Sequence, residues 1–188
     1  SDLLGVYRPS TGTFYLDYDG DGVFTGADRT IPWSGDPADK PVLGDWNADG
    51  RTKIGTYRPS TGVWTLDTNG DGIFTPATDQ TLSWGGDPTD VPLVLPGRQG
   101  TAPPALRPQK LGVFRPANGG WYLDTDGNGA WTEGVDQIIS WGNNTDLPVV
   151  GDWNGNGTPT IGVFRPSEGA WYLDVDGNGT WTEGVDRW

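Results

Sequence analysis

Residues 151–186 read GDWNGNGTPTIGVFRPSEGAWYLDVDGNGTWTEGVD. Two short apolar runs, 161–164 and 171–173, alternate with two loops crowded with Asp, Asn and Gly. β-Branched and aromatic residues favour half-buried strands, whereas Asp, Asn and Gly favour the turns between them. The rest of the chain repeats this unit. The motif Gly-x-Tyr/Phe-Arg-Pro stands at residues 5–9, 55–59, 112–116 and 162–166, with starts 50, 57 and 50 residues apart. A period of this length marks a repeat architecture, and blades of four short strands recur about every 40–50 residues.

Each unit offers a strand at the motif itself (5–8) and a second, alternating and aromatic, at 13–17 (TFYLD). A third lies at 30–33, with counterparts at 80–84 and 137–141, and a fourth at 41–46 (PVLGDW), repeated at 148–153. No segment keeps a helical period, and Gly and Pro interrupt every candidate. The expected fold is all-β: a β-propeller of about four four-stranded antiparallel blades, either a closed small ring or an arc of a larger propeller. It forms one repeat domain over 1–188, with blades at about 1–40, 41–91, 92–147 and 148–188. A Pro/Gly-rich insertion at 95–110 replaces the GDWN loop of the third copy. No PVxGDW strand precedes the first copy, and the fourth reaches Trp188 before its third strand is complete, so both ends are short.

Composition narrows the function. Hydrophobic residues make up only 34%, but 11 Trp, 6 Tyr and 5 Phe exclude a disordered chain. A formal charge of −13 argues against nucleic acid and against anionic membrane surfaces, both of which need Lys and Arg. No run is long and apolar enough for membrane insertion. The acids are clustered, which points to cation binding. With no Cys and no His, disulfides, thiolate sites and the commonest zinc ligand are all absent.

The clusters follow each second strand. The loops read Asp17-x-Asp19-Gly-Asp21-Gly22, Asp67-x-Asn69-Gly-Asp71-Gly72, Asp124-x-Asp126-Gly-Asn128-Gly129 and Asp174-x-Asp176-Gly-Asn178-Gly179. Side-chain oxygens at positions 1, 3 and 5, with Gly at 6, form the first half of an EF-hand-type calcium loop. The backbone carbonyl expected to follow belongs to Val23, Ile73, Ala130 or Thr180. Asp28 at position 12, and Asp79, Asp136 and Asp186 at position 13, are the proposed closing ligands. Several Ca2+ ions are therefore expected. Turn formation alone would also use Asp, Asn and Gly, but four loops in register favour the ion.

A second loop follows two of the fourth strands: Asp45-x-Asn47-x-Asp49-Gly50 and Asp152-x-Asn154-x-Asn156-Gly157. Its position 9 is Lys53 or Thr160, and a lysine repels a cation. An ion and a network of Asx turns remain open here. Arg8, Arg58, Arg115 and Arg165 recur in every copy and read as bridges to a neighbouring repeat. Trp33, Trp84, Trp141, Trp46 and Trp153 read as wedges between blades, and Trp64, Trp121 and Trp171 lie on second strands. Most are expected in the core, although exposed Trp also stacks on sugar rings. No acid stands apart from the repeated loops, so no catalytic pair is assigned.

At residues 44–59 (GDWNADGRTKIGTYRP) and 151–166 (GDWNGNGTPTIGVFRP) the chain resembles the FG-GAP/VCBS repeats, which build integrin-like propellers and many secreted bacterial proteins. The family's Asp-x-Asn-x-Asp-Gly loop matches Asp45, Asn47 and Asp49, and less fully Asp152, Asn154 and Asn156. An acid often found at position 9 is replaced by Lys53 and Thr160. The resemblance implies a propeller, calcium, and an extracellular binding or scaffolding role, secreted or at the cell surface. Three functions follow: a non-catalytic adhesion or scaffold module contacting an extracellular protein, a carbohydrate-binding lectin-like propeller, or an accessory domain of a secreted hydrolase. A homo-oligomer completing the ring is a further expectation.

Overall fold

The computed structural model describes residues 4–95 and 109–188. Most of the insertion read at 95–110 falls outside the described residues. The rest is all-β: four antiparallel sheets and a single short 3-10 turn, Pro9–Thr11. Sheet I holds β1 (Gly5–Arg8), β2 (Thr13–Leu16) and β3 (Arg29–Pro32). Sheet II holds β4 (Lys40–Gly44), β5 (Lys53–Arg58), β6 (Val63–Leu66) and β7 (Gln80–Ser83). Sheet III holds β8 (Val91–Leu95), β9 (Lys110–Arg115), β10 (Gly120–Leu123) and β11 (Gln137–Ser140). Sheet IV holds β12 (Leu147–Gly151), β13 (Thr160–Arg165) and β14 (Ala170–Leu173). Each sheet is a plain meander, and no sheet closes on itself.

The unit therefore has a different phase from the motif. The PVLGDW strand pairs forward, Val42 opposite Gly55 and Leu43 opposite Ile54, and so opens sheet II instead of finishing sheet I. Only two of the four sheets carry four strands. Sheet I has no PVxGDW segment ahead of Gly5, and in sheet IV only an isolated bridge, Leu173 to Arg187, stands where β11 pairs with β10.

A single sheet of this size cannot hide an apolar face, so neighbouring sheets share a core. One cluster joins Val42, Trp46, Tyr57, Trp64, Leu66 and Trp84 of sheet II and its flanking loops to Leu111 and Val113 of sheet III. Another joins Leu93, Phe114, Trp121, Leu123 and Trp141 to Ile161 and Val163 of sheet IV. Strand β8 lies beside both β4 and β12, so the opening strands of sheets II–IV gather together. Trp64 and Trp121 have no exposed surface, and their indole N–H groups donate to the carbonyls of Trp84 and Trp141. Trp84 and Trp141 in turn donate across the junction to the carbonyls of Tyr122 and Tyr172, at 3.0 and 3.1 Å. These two are the wedges expected from the sequence. Trp46 and Trp153 instead bond within their own hairpins, to the carbonyls of Ile54 and Ile161.

Each junction is also pinned by charge. Arg58, Arg115 and Arg165 donate bidentately to Asp39, Asp90 and Asp146, with N···O distances of 2.7–2.9 Å. These acids precede β4, β8 and β12, in the turns that arrive from the preceding sheet. Asp90 is fully buried and also accepts from the amides of Gly86 and Asp87, while Tyr57 of sheet II donates to it at 3.4 Å. Burial, with Asp90 beside it, pushes the Tyr57 phenol well above its ordinary pKa. The bond to Asp90 likewise holds Arg115 above the ordinary arginine value. Arg8 has no such acid among the described residues; its guanidinium stacks on Tyr15 and donates to the Tyr15 hydroxyl.

Removing one partner of a buried bidentate pair strands the other, at about 3–5 kcal/mol. Asp90→Ala is expected to lower the unfolding free energy by about 3 kcal/mol in urea denaturation. Arg8→Ala, with no acid to lose among the described residues, should stay within about 0.5 kcal/mol of the parent.

Candidate metal centres

The hairpin tips joining the second and third strands of each sheet have one construction. The first Asp accepts two backbone N–H groups, from the Gly at position 4 and the Gly at position 6. For Asp17, Asp67, Asp124 and Asp174 these eight bonds measure 2.7–3.0 Å. A carboxylate can serve both amides only if the chain curls tightly around it. The Gly at position 6 supplies the curl, with φ of 78°, 79°, 73° and 74° at Gly22, Gly72, Gly129 and Gly179.

Residues at positions 3 and 5 form Asx turns. Asp19, Asn69, Asp126 and Asp176 accept the N–H two residues on, at 2.9–3.3 Å. Asp21, Asp71, Asn128 and Asn178 accept the N–H of Val23, Ile73, Ala130 and Thr180, each at 2.7 Å. The closing acids accept twice. Asp28, Asp79, Asp136 and Asp186 take the amide just after the first Asp (Tyr18, Thr68, Thr125, Val175) at 2.7–2.9 Å. They also take the amide of Thr25, Thr75, Thr132 or Thr182 at 2.5–2.7 Å. Turn chemistry thus organises the loops, and most of the carboxylate oxygens, with two lone pairs each, accept one bond and keep capacity for a further partner; Asp174 Oδ1 and Asp136 Oδ1, for example, already accept two.

Three tips bring carboxylates close enough to share a metal ion. Asp17, Asp19 and Asp21 form one group, Asp124, Asp126 and Asp136 a second, and Asp174, Asp176 and Asp186 a third. Within each group one oxygen per residue lies within 4.8 Å of the others. The first group is made of positions 1, 3 and 5, whereas the other two substitute the closing Asp for position 5, which is Asn in both. In the second tip position 3 is Asn69, whose amide donates to Asp71 at 2.9 Å. A donor set made only of oxygens, mostly anionic, suits a hard cation.

The tips also meet their neighbours. A Cβ added to Gly72 would lie 3.1 Å from the Ile31 side chain of sheet I, one on Gly129 2.7 Å from Leu82, and one on Gly179 3.0 Å from Ile139. Each of these tips therefore rests on the third strand of the preceding sheet, beside an aromatic contact: Trp33 with Phe74, Trp84 with Trp131, Trp141 with Trp181. Gly22 touches nothing in this way. Accordingly Asp67, Asp124 and Asp174 are 1–2% exposed and Asp79, Asp136 and Asp186 are buried, whereas Asp17 and Asp28 are only half-buried.

The two GDWN loops share the curl and differ in what fills them. Asp45 accepts the amides of Asp49 and Gly50, and Asp152 those of Asn156 and Gly157. In the first, the Lys53 ammonium enters the loop and meets Asn47 and Asp49. In the second, Thr160 turns away to the carbonyl of Asp174, and Asn154 donates to the carbonyl of Val175.

Comparison with family models, with curated proteins and with solved structures returns no match. What the loops do is therefore argued from their own chemistry.

Sequence reasoning missed Asp39, Asp90 and Asp146, the junction acids. A signal existed: each stands two residues before the Pro of the opening strand, at Pro41, Pro92 and Pro148.

Burial raises the carboxyl pKa of Asp67, Asp124 and Asp174, outweighing the two amide bonds each accepts. An acid with a raised folded-state pKa binds protons more tightly folded than unfolded. Without a cation, its contribution favours the fold at low pH and is lost as pH rises through the raised value. A bound divalent ion removes that penalty but must compete with protons. The rise in Tm on adding a divalent cation is therefore expected to be larger at about pH 7.5 than at about pH 4.5, measured by scanning calorimetry in matched ionic strength.

Proposed function

We propose that this chain is a calcium-stabilised, non-catalytic β-propeller segment of the FG-GAP/VCBS type, acting outside the cell as an adhesion or scaffold module. The observation that carries the reading is the recurrence, in all four sheets, of one hairpin tip curled around an Asp at position 1, with three carboxylates converging in three of the four. A turn needs Asp, Asn and Gly, but it does not need three carboxylates converging within 4.8 Å, which repel one another unless a cation lies between them. The cation class is set by the donors: oxygen only, several of them anionic, on a loop built like the first half of a calcium loop.

The propeller geometry is supported by the gathering of β4, β8 and β12 and by cores that lie between successive meanders. The two three-stranded sheets, I and IV, fit an arc that a further segment or a second copy completes.

A second reading, a glycan-binding surface, has one specific observation in its favour. Trp171 is 49% exposed on β14, and Trp131 and Trp181 are similarly open beside the tips. Trp64 and Trp121, at the position equivalent to Trp171, are wholly buried, so three equivalent sugar platforms are not available at that register.

Calcium that binds only the folded state at about 100 times its Kd adds about 2.7 kcal/mol per site. Titration calorimetry is expected to count several calcium ions, and Tm is expected to fall by many degrees in chelator. An unchanged Tm after verified ion removal overturns the reading. Saturable binding on a glycan array that is lost in Trp171→Ala would move the function to the lectin class.

A further inference from the structure

We propose that the Lys53 ammonium is the resident cation of the Asp45–Asn47–Asp49 loop, and that this loop takes no metal ion. The loop carries the same early donor pattern as the hairpin tips, and it too curls around its first Asp, although Asp45 accepts the amides of positions 5 and 6 (Asp49 and Gly50, at 3.1 and 2.8 Å) where the tips use positions 4 and 6. Lys53 occupies position 9. Its Nζ lies 2.6 Å from Asn47 Oδ1, 2.6 Å from Asp49 Oδ1, 3.1 Å from the Arg51 carbonyl and 3.4 Å from Asp45 Oδ1. These are the side-chain oxygens of positions 1, 3 and 5 and one backbone oxygen of position 7, the set that a calcium ion would draw on. An ammonium group has three donors and no acceptor, so four surrounding oxygens satisfy it completely.

The placement is not a surface lysine folding onto a nearby acid. The Lys53 side chain is 4% exposed, and its stem runs under Gly70 of the adjacent hairpin tip. Lys53 begins β5, opposite Gly44, and its neighbour Ile54 is in the core. The corresponding residues of sheets III and IV, Lys110 and Thr160, turn instead to the carbonyls of Thr125 and Asp174. The Lys53 bond lowers the Asp49 carboxyl pKa, as expected for an acid facing a fixed positive charge. The outer side of the loop is held from sheet III, where Gln109 accepts the Asp45 amide and donates its own to the Asp45 carbonyl. A covalently tethered charge thus does at this junction what a diffusible ion would do, and it does not leave when free cation is depleted.

The inference stands on the cage geometry and holds whether or not the hairpin tips bind calcium. It is tested on the whole chain with calcium alone as probe, in the parent, in Asp45→Asn/Asp49→Asn and in Lys53→Met. The double variant is expected to bind the same number of calcium ions as the parent by equilibrium dialysis, and to lose the same number of degrees of Tm in calcium as in chelator. One ion fewer, or a Tm loss that vanishes in chelator, overturns the proposal. Lys53→Met opens the cage and is expected to bind one ion more than the parent; a folded Lys53→Met with the parent's stoichiometry overturns the claim that the ammonium keeps a divalent ion out. A parent that binds no calcium at all overturns the reading of the tips and leaves the filled loop standing, provided the double variant still melts lower in chelator.

Discussion

Loop backbone has no strand to bond to, and in this chain aspartate carboxylates take its N–H groups. The first and closing Asp of every hairpin tip each accept at least two amides, Asp45 and Asp152 do the same in the GDWN loops, and in the junction turns Asp90 accepts two and Asp146 one. A buried amide without a partner costs about as much as a lost hydrogen bond, so a fold made of short strands and many turns depends on this device. The consequence is an accumulation of buried negative charge, and much of the remaining architecture is a response to it. Arginine forks answer the junction acids, a lysine answers one GDWN loop, and in three tips the converging carboxylates are close enough to share a cation.

Hydrophobic packing works on a different axis. The sheets are too narrow to bury a face within themselves, so apolar side chains from one sheet complete the core of the next. The tryptophans at the ends of β7 and β11 show how polar and apolar needs are met together. Their rings fill the space between sheets while their N–H groups reach a strand carbonyl on the far side. Trp33, at the equivalent place in sheet I, is only half-buried, and its shielded N–H and the Tyr7 hydroxyl have no partner among the described residues. The first junction is the less complete of the three in this respect.

Much of the strand content was legible because turn residues bracket short aromatic and β-branched runs at a constant period. The all-β class and the antiparallel meanders follow from that. The phase of the unit was harder: a strand such as 41–46 carries no mark of whether it pairs backward or forward, and only tertiary packing decides. Tip residues were legible as a pattern, but their individual bonds were not, since turn formation and ion binding draw on the same side chains. Position 53 illustrates the limit. A lysine in an acidic loop reads as repulsion toward a cation, but only a three-dimensional path for its stem reveals that it enters the loop itself. Asp90 was passed over because a lone acid beside a proline looks like any turn, and its value comes from Arg115, 25 residues away.

The tips of sheets II, III and IV lean on the strand before them, and the tip of sheet I leans on nothing described. This gives the array a direction. Disordering one of the three leaning tips would loosen a joint between sheets, because the glycine that shapes the loop is also the surface on which Ile31, Leu82 or Ile139 sits. Disordering the free tip would disturb one hairpin and no joint. Loop chemistry and the cohesion of the stack are thus coupled at all three junctions, and only the tip of sheet I is independent of them.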